Sequence, residues 1–219
     1  MELTAATLAP GWLGLGAVLA GTVLIAAART APWSRLRSAE MQHAFAAGCV
    51  AVMLLWTIRT GLEIAPGYHF FGVTTLTLMF GWQLACLASV PVLIAACLLG
   101  HGDWAALGAN ALVLFVLPAA VTWALLQAVR RWLPRNFFVY IYLNAYLGAA
   151  CAMAAGSLAM AAILAAAGTL GDGVPWGDYL LFLPLLSLAE GFINGIVLTV
   201  LVAIRPHWVW TFDEARYFA

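Results

Sequence analysis

Hydrophobic residues fill the chain in long runs that are separated by short polar segments. A helix needs about 20 mostly apolar residues to cross a bilayer, and inside the bilayer its backbone polar groups must be satisfied internally. The runs predict seven membrane-spanning helices. Their approximate ranges are 11–28, 42–60, 70–84, 85–99, 104–129, 138–167 and 179–204. The third and fourth are short and nearly continuous, so residues 81–83 form either a tight turn or the break of a re-entrant pair.

Composition agrees with this pattern. The chain is 65% hydrophobic and 8% charged, whereas a soluble domain is about 25% charged. Seven spans occupy most of the 219 residues, so we predict an all-α fold with one integral membrane domain over residues 1–219. The sequence contains no phosphate-binding loop, nucleophile–base pair or basic aromatic surface, and it therefore indicates neither an enzyme nor a nucleic-acid-binding protein.

The basic residues predict the orientation. There is no lysine, and with seven spans eight of the nine arginines share one face of the membrane: Arg29, Arg35, Arg37, Arg130, Arg131, Arg135, Arg205 and Arg216. The positive-inside rule then places the N-terminus outside and the C-terminus in the cytoplasm. The other face is acidic and carries His69 and His101. This suits either a site for an arriving cation or ordinary solvated loops.

Glu190 lies in the middle of the apolar run 180–204. An intramembrane charge costs about 2.5 kcal/mol or more on insertion scales, so such a residue is a candidate for function. Asn194 follows one helical turn later on the same face, and Asn144 of the sixth span is a candidate neighbour. Three roles stay open for Glu190: a proton relay, a ligand, or a structural anchor bonded to backbone or to an asparagine.

Two further groups contain candidate ligands. His69 is flanked by glycines, and a neutral imidazole suits transition metals, although it could equally bond a loop carbonyl. His101 and Asp103 precede the fifth span, where Asp103 is favoured as a helix cap. Asn110 must find a partner inside the bundle.

The residues resemble a known family. The resemblance runs from about Pro66 to Val129 and again around Leu180–Val202. It is carried by the run GYHFFGVTTLTLMFGWQLACLASVPVLIAACLLGHGDWAALGANALVLFVLPA and by Glu190-Gly191. Its most specific part is Gly102-Asp103 with Ala106-Leu107-Gly108-Ala109-Asn110. These features are similar to the CbiM/NikM family, the substrate-binding membrane proteins of energy-coupling-factor cobalt and nickel importers. The family's seven helices and external N-terminus agree with the pattern above.

The resemblance implies a metal site with four nitrogen ligands. They are the N-terminal amine, the backbone nitrogen and the side chain of a histidine at position 2, and the side chain of a later histidine. His69 matches the later histidine, but position 2 is Glu2. The planar four-nitrogen site cannot form as such, and a carboxylate oxygen would weaken the preference for nickel. The candidate ligands are therefore Met1, Glu2 and His69, with His101, Asp103 and Asn110 as possible ligands or pocket residues.

The resemblance also implies a function. The protein would capture a divalent transition metal as substrate, hold no permanent cofactor, and depend on a coupling transmembrane protein and ATPase subunits. Two alternatives remain. One is a non-transporting scaffold or assembly subunit that kept the fold and lost the metal. The other is a proton-coupled carrier that uses Glu190.

Overall fold

The computed structural model describes residues 2–57, 69–169 and 176–217, and every regular element in these ranges is helical. The predicted all-α membrane bundle is confirmed. The principal helices are α1 (Pro10–Thr30), α2 (Ala39–Thr57), α3 (Val73–Phe80), α4 (Trp82–Leu98), α5 (Trp104–Trp132), α6 (Phe137–Ala166) and α7 (Trp176–Ile204). Five of them, α1, α2, α5, α6 and α7, are long and apolar enough to cross a membrane. Helix α5 is π-helical over Leu112–Val116, and α6 over Tyr140–Leu147.

The third predicted span is much shorter than expected. Helix α3 covers eight residues instead of the range 70–84, and at 1.5 Å per residue it is about 12 Å long. It ends at Gly81, whose φ of 92° is a conformation that glycine adopts without a steric penalty. Helix α4 begins at the next residue, so the predicted boundary at 84–85 was wrong by about three residues. The turn at Gly81 sets this boundary, and it lies in the segment 81–83 where the sequence predicted a turn or a break.

The two ends of the bundle differ in charge. We call the end that carries His101 and Asp103 the histidine end, and the end that carries Arg35 and Arg130 the arginine end. Helix α5 runs from one to the other, because it begins just after Asp103 and contains Arg130 in its last turn. Arg35 reaches the same end as Arg130, since its guanidinium donates to the Met79 carbonyl beside the C-terminal tail.

Helix α3 is the centre of the bundle. All of its residues except Thr75 are buried, and the hydroxyls of the buried Thr74 and Thr77 are hydrogen-bonded inside the protein. Its last carbonyls have no partner inside the helix. The tail satisfies them, because Trp210 and Thr211 donate backbone N–H groups to Met79 and Leu78 at 3.1 and 3.2 Å. The short helix is therefore held at the arginine end by a segment about 130 residues away.

Candidate functional site

The intramembrane carboxylate of Glu190 caps the start of α3. Glu190 is 1% exposed, and its two oxygens accept the backbone N–H groups of Phe71 at 2.9 Å and Gly72 at 2.8 Å. Asn194 donates to Glu190 Oε1 at 2.8 Å and accepts both the N–H and the hydroxyl of Thr75, at 3.0 and 2.7 Å. The first N–H groups of a helix lack internal partners, and a carboxylate is favoured at this positive end of the helix dipole. These contacts are those of the structural anchor among the three roles considered for Glu190.

Asn144 does not join this network. It is completely buried, yet neither atom of its amide has a hydrogen-bond partner among the residues that the structure describes. The reason that it misses Glu190 is the register of α6 against α7. A Cβ added to Gly191 would lie 2.8 Å from the Tyr146 carbonyl and 3.5 Å from the Ala150 side chain. At the level of Glu190, α7 therefore faces residues of α6 that follow Asn144.

Asn110 holds the N-terminal segment inside the bundle. Its Oδ1 accepts the Leu3 N–H at 2.8 Å, and its Nδ2 donates to the Leu3 carbonyl at 2.9 Å. Asn110 is 2% exposed and Leu3 is fully buried. The side-chain amide thus pairs with both backbone groups of one residue, as a neighbouring strand would. The partner that Asn110 required is the chain's own N-terminal segment.

Asp103 fastens the same segment at a second point. Its Oδ1 accepts the Ala105 N–H at 2.9 Å, which is the helix cap predicted from the sequence. Its Oδ2 accepts the Ala5 N–H at 2.6 Å. One carboxylate therefore connects the beginning of α5 with the N-terminal segment.

Close packing of α1 on α5 places Asn110 where it can make these bonds. A Cβ on Gly108 would collide with the backbone of Ala17, and one on Gly16 would lie 3.0 Å from Ala109. Any side chain at position 108 would push the two helices apart. The glycine of the Ala-Leu-Gly-Ala-Asn motif thus allows the contact that the asparagine makes.

His69 is buried rather than at a surface. It is 3% exposed, and its ring lies 4.5 Å from the Trp56 ring and 5.9 Å from the Phe71 ring, centroid to centroid. The sequence placed His69 just before the predicted span 70–84, but α3 begins four residues later at Val73. The intervening segment has no regular secondary structure, and Glu190 accepts the N–H groups of Phe71 and Gly72 within it, so Glu190 also fixes the backbone that follows His69.

The candidate ligands lie near the N-terminal segment, near the start of α3 and in the loop after α4. Glu2 is half-buried next to the clamped Leu3, and the Cys97 thiol of α4 lies within electrostatic reach of Glu2 and Asp103. His69 lies beside the capped start of α3, while His101 is exposed in the loop after α4. Met1 lies outside the described residues. Among residues 2–57, 69–169 and 176–217, no three His, Cys, Asp or Glu side chains are close enough to hold a metal together.

Sequence reasoning missed two contributors to this region. Trp56 forms the aromatic wall against His69, but nothing in the sequence distinguishes it from the other tryptophans near helix ends. The pairing of Asn110 with Leu3 was also missed. A polar side chain deep in an apolar helix predicts that a partner exists, and it carries no information on which distant backbone supplies it.

Comparisons with known proteins identify one family and one fold. A family model described as the cobalt uptake substrate-specific transmembrane region, CbiM, matches residues 3–208. The crystal structure of a truncated transition metal transporter superposes with a TM-score of 0.78 at 20% identity, covering 93% of this chain and 99% of that one. A crystal structure of a transition metal transporter gives 0.76 at 19%, covering 93% of each chain. At these identities the structures show a shared fold. No curated protein sequence matches the chain.

Proposed function

This chain belongs to the CbiM family of cobalt-uptake substrate-specific transmembrane proteins, and we propose that it captures a divalent transition-metal ion at the histidine end of its bundle. Membership makes it a membrane component of a metal uptake system. The observation that supports our site is the double fastening of the N-terminal segment, by Asn110 at Leu3 and by Asp103 at Ala5. The backbone that follows Glu2 is thereby fastened to the bundle at Leu3 and Ala5.

In this proposal the ion is bound by the Met1 amine, the Glu2 carboxylate and the His69 imidazole. Asp103 and Asn110 act as positioning residues, because they hold the backbone that carries the first two ligands. Glu190 and Asn194 position the third, since they cap the helix start that follows His69. An oxygen ligand in place of the family's histidine favours an ion that demands square-planar nitrogen ligation less strictly than nickel does.

We further propose that this component does not drive transport by itself. Its sequence contains no nucleotide-binding motif, so a coupling transmembrane protein and ATPase subunits would supply the energy, and the chain would not be an enzyme. The protein would lie in a bacterial inner membrane, with the histidine end facing outward and the arginine end facing the cytoplasm. The distribution of arginine supports this orientation.

Metal titration of the purified protein tests the site. Cobalt, nickel, iron(II), copper and zinc are added in turn, with binding followed by calorimetry and by bound-metal analysis. We expect near-stoichiometric binding of one of these ions and its loss in His69→Ala. The matched control is His43→Ala, which removes an exposed histidine of α2 that lies toward the arginine end.

A folded protein that binds none of these ions would refute metal capture. The alternative favoured by Glu2 would then stand, a membrane subunit that kept the fold and assembles with other proteins without carrying metal. Binding that survives His69→Ala as well as His43→Ala would refute the ligand set while leaving metal uptake intact.

A further inference from the structure

A polar pocket of about 370 Å³ opens at the arginine end, away from the proposed metal site. Its floor is aromatic, because the Trp123 and Trp210 rings lie 6.2 Å apart, centroid to centroid, at 27° to each other. The guanidinium groups of Arg130 and Arg135 line it, together with Thr211 and Asp213. The proposed uptake function uses none of these side chains.

The pocket has an excess of positive charge. Two arginines and one aspartate line it, so the lining side chains have a net charge of +1. Asp213 also interacts with another group of the protein. Arg130 donates from Nη2 to the Thr211 carbonyl at 2.6 Å, so its side chain is held at the pocket wall. A guanidinium has five N–H donors, and its planar geometry suits phosphate oxygens. A single phosphate group therefore fits the charge and the donors.

Exposed apolar side chains flank Arg135 of this basic pocket along the chain. Trp132 at the end of α5 is 75% exposed, Leu133 in the α5–α6 connection 42%, and Phe138 in the first turn of α6 62%. Exposed aromatic residues at the end of a membrane helix are typical of the level of the lipid headgroups. A free phosphate ion would gain nothing from these side chains, whereas the acyl chains of a lipid would cover them.

We propose that this pocket binds the phosphate headgroup of an anionic phospholipid such as phosphatidylglycerol. The phosphate lies between Arg130 and Arg135, and the acyl chains run over Trp132 and Phe138. Basic pockets between helices at a membrane surface commonly select anionic headgroups. The bound lipid also stabilises the tail, because Arg130 and the Tyr140 hydroxyl both hydrogen-bond to Thr211.

Native mass spectrometry of the intact chain tests the proposal. The protein in detergent is titrated with phosphatidylglycerol, phosphatidylethanolamine and phosphatidylcholine, and the retained lipid is counted. We expect preferential retention of phosphatidylglycerol and about a fivefold weaker affinity in Arg135→Gln, the effect of one arginine near an anionic surface. Arg131→Gln is the matched control, because Arg131 belongs to the same helix end, is exposed, and does not line the pocket.

Four results would overturn the assignment. Equal weakening by Arg131→Gln would mean that general surface charge attracts the lipid. Equal retention of phosphatidylethanolamine would remove the requirement for an anionic headgroup. Displacement of the lipid by the same concentration of glycerol phosphate would identify a site for a free phosphate. Unchanged lipid affinity in Arg135→Gln would show that the lipid does not bind in this pocket. The pocket would then bind another kind of partner, such as an acidic protein segment. Thermal unfolding of each variant shows that a loss of lipid is not a loss of fold.

Discussion

Replacing Asn110 tests how the N-terminal segment is held. The variant Asn110→Leu keeps most of the side-chain volume and removes both hydrogen bonds to Leu3. A typical intramolecular hydrogen bond contributes about 0.5–1.5 kcal/mol, so the pair contributes about 1–3 kcal/mol. Without Asn110, the buried N–H and carbonyl of Leu3 lose their partners unless the segment leaves the bundle. We therefore expect local detachment of the segment rather than global unfolding.

The size of the effect follows from that free energy. A change of about 1–3 kcal/mol shifts the equilibrium between docked and detached segment by about 5-fold to 150-fold. Apparent metal affinity falls in proportion to the docked fraction, so it decreases by at most the same factor. Hydrogen–deuterium exchange at the Leu3 and Ala5 amides measures detachment directly, and calorimetry measures the metal. Asn136→Leu is the control, because it removes a side-chain acceptor for the Phe138 N–H, at 2.7 Å, in the α5–α6 connection.

Two results would contradict the reasoning. If the Leu3 and Ala5 amides exchange no faster in Asn110→Leu than in the unchanged protein, the two hydrogen bonds do not hold the segment. If exchange becomes faster while metal affinity stays the same, the segment is released without consequence, and the proposed ligands at positions 1 and 2 do not bind the ion.

Three further variants test the short central helix. Glu190→Leu leaves the Phe71 and Gly72 N–H groups buried without an acceptor. Each such group costs about 1–3 kcal/mol, so we expect the free energy of unfolding to fall by about 2–6 kcal/mol. An unchanged melting temperature would show that Glu190 does not stabilise the start of α3. Glu190→Gln keeps one acceptor oxygen, so its free energy of unfolding should fall less than that of Glu190→Leu. Gly81→Ala should destabilise more than Gly100→Ala: both glycines have positive φ, but only at Gly81 would a Cβ meet the Trp210 ring. Equal losses would mean that this ring contact contributes nothing.

The helices could be predicted because run length and hydropathy are local properties. Residues 10–30, for example, are by themselves long and apolar enough to cross a membrane, and they form α1. The Asp103 cap is local too, since its partner Ala105 is two residues away. These features needed no knowledge of the rest of the fold.

The dimensions of α3 could not be predicted in the same way. Its beginning depends on Glu190, which accepts the Gly72 N–H from 118 residues away in the sequence. Its end depends on the tail near Trp210. The hydrophobic pattern gives no sign of the beginning, whereas the end falls at the segment 81–83 that the sequence predicted as a turn or a break. Contacts distant in sequence are needed to show where such a helix starts.

Asn144 marks the limit of a rule that worked elsewhere. A polar side chain inside an apolar bundle should find a partner, and Asn110 and Asn194 do so. The Asn144 amide is equally buried and has none in the part of the chain that the structure describes. It lies in the π-helical part of α6, whose register is not visible in the sequence. The rule therefore identified positions that need a partner, but not which of them obtain one.

The proposed metal site and the membrane environment impose related demands on this chain. Non-helical backbone is tolerated at membrane depth only where its polar groups are satisfied by protein or water. Both segments next to the proposed ligands are non-helical and buried, one at Leu3 and the other before α3. Asn110 satisfies the first and Glu190 the second, each with a single side chain that accepts or donates two backbone bonds. Irregular backbone can present an amine, a carboxylate and an imidazole in directions that a helix cannot, and these two side chains are what makes such backbone stable inside a bilayer.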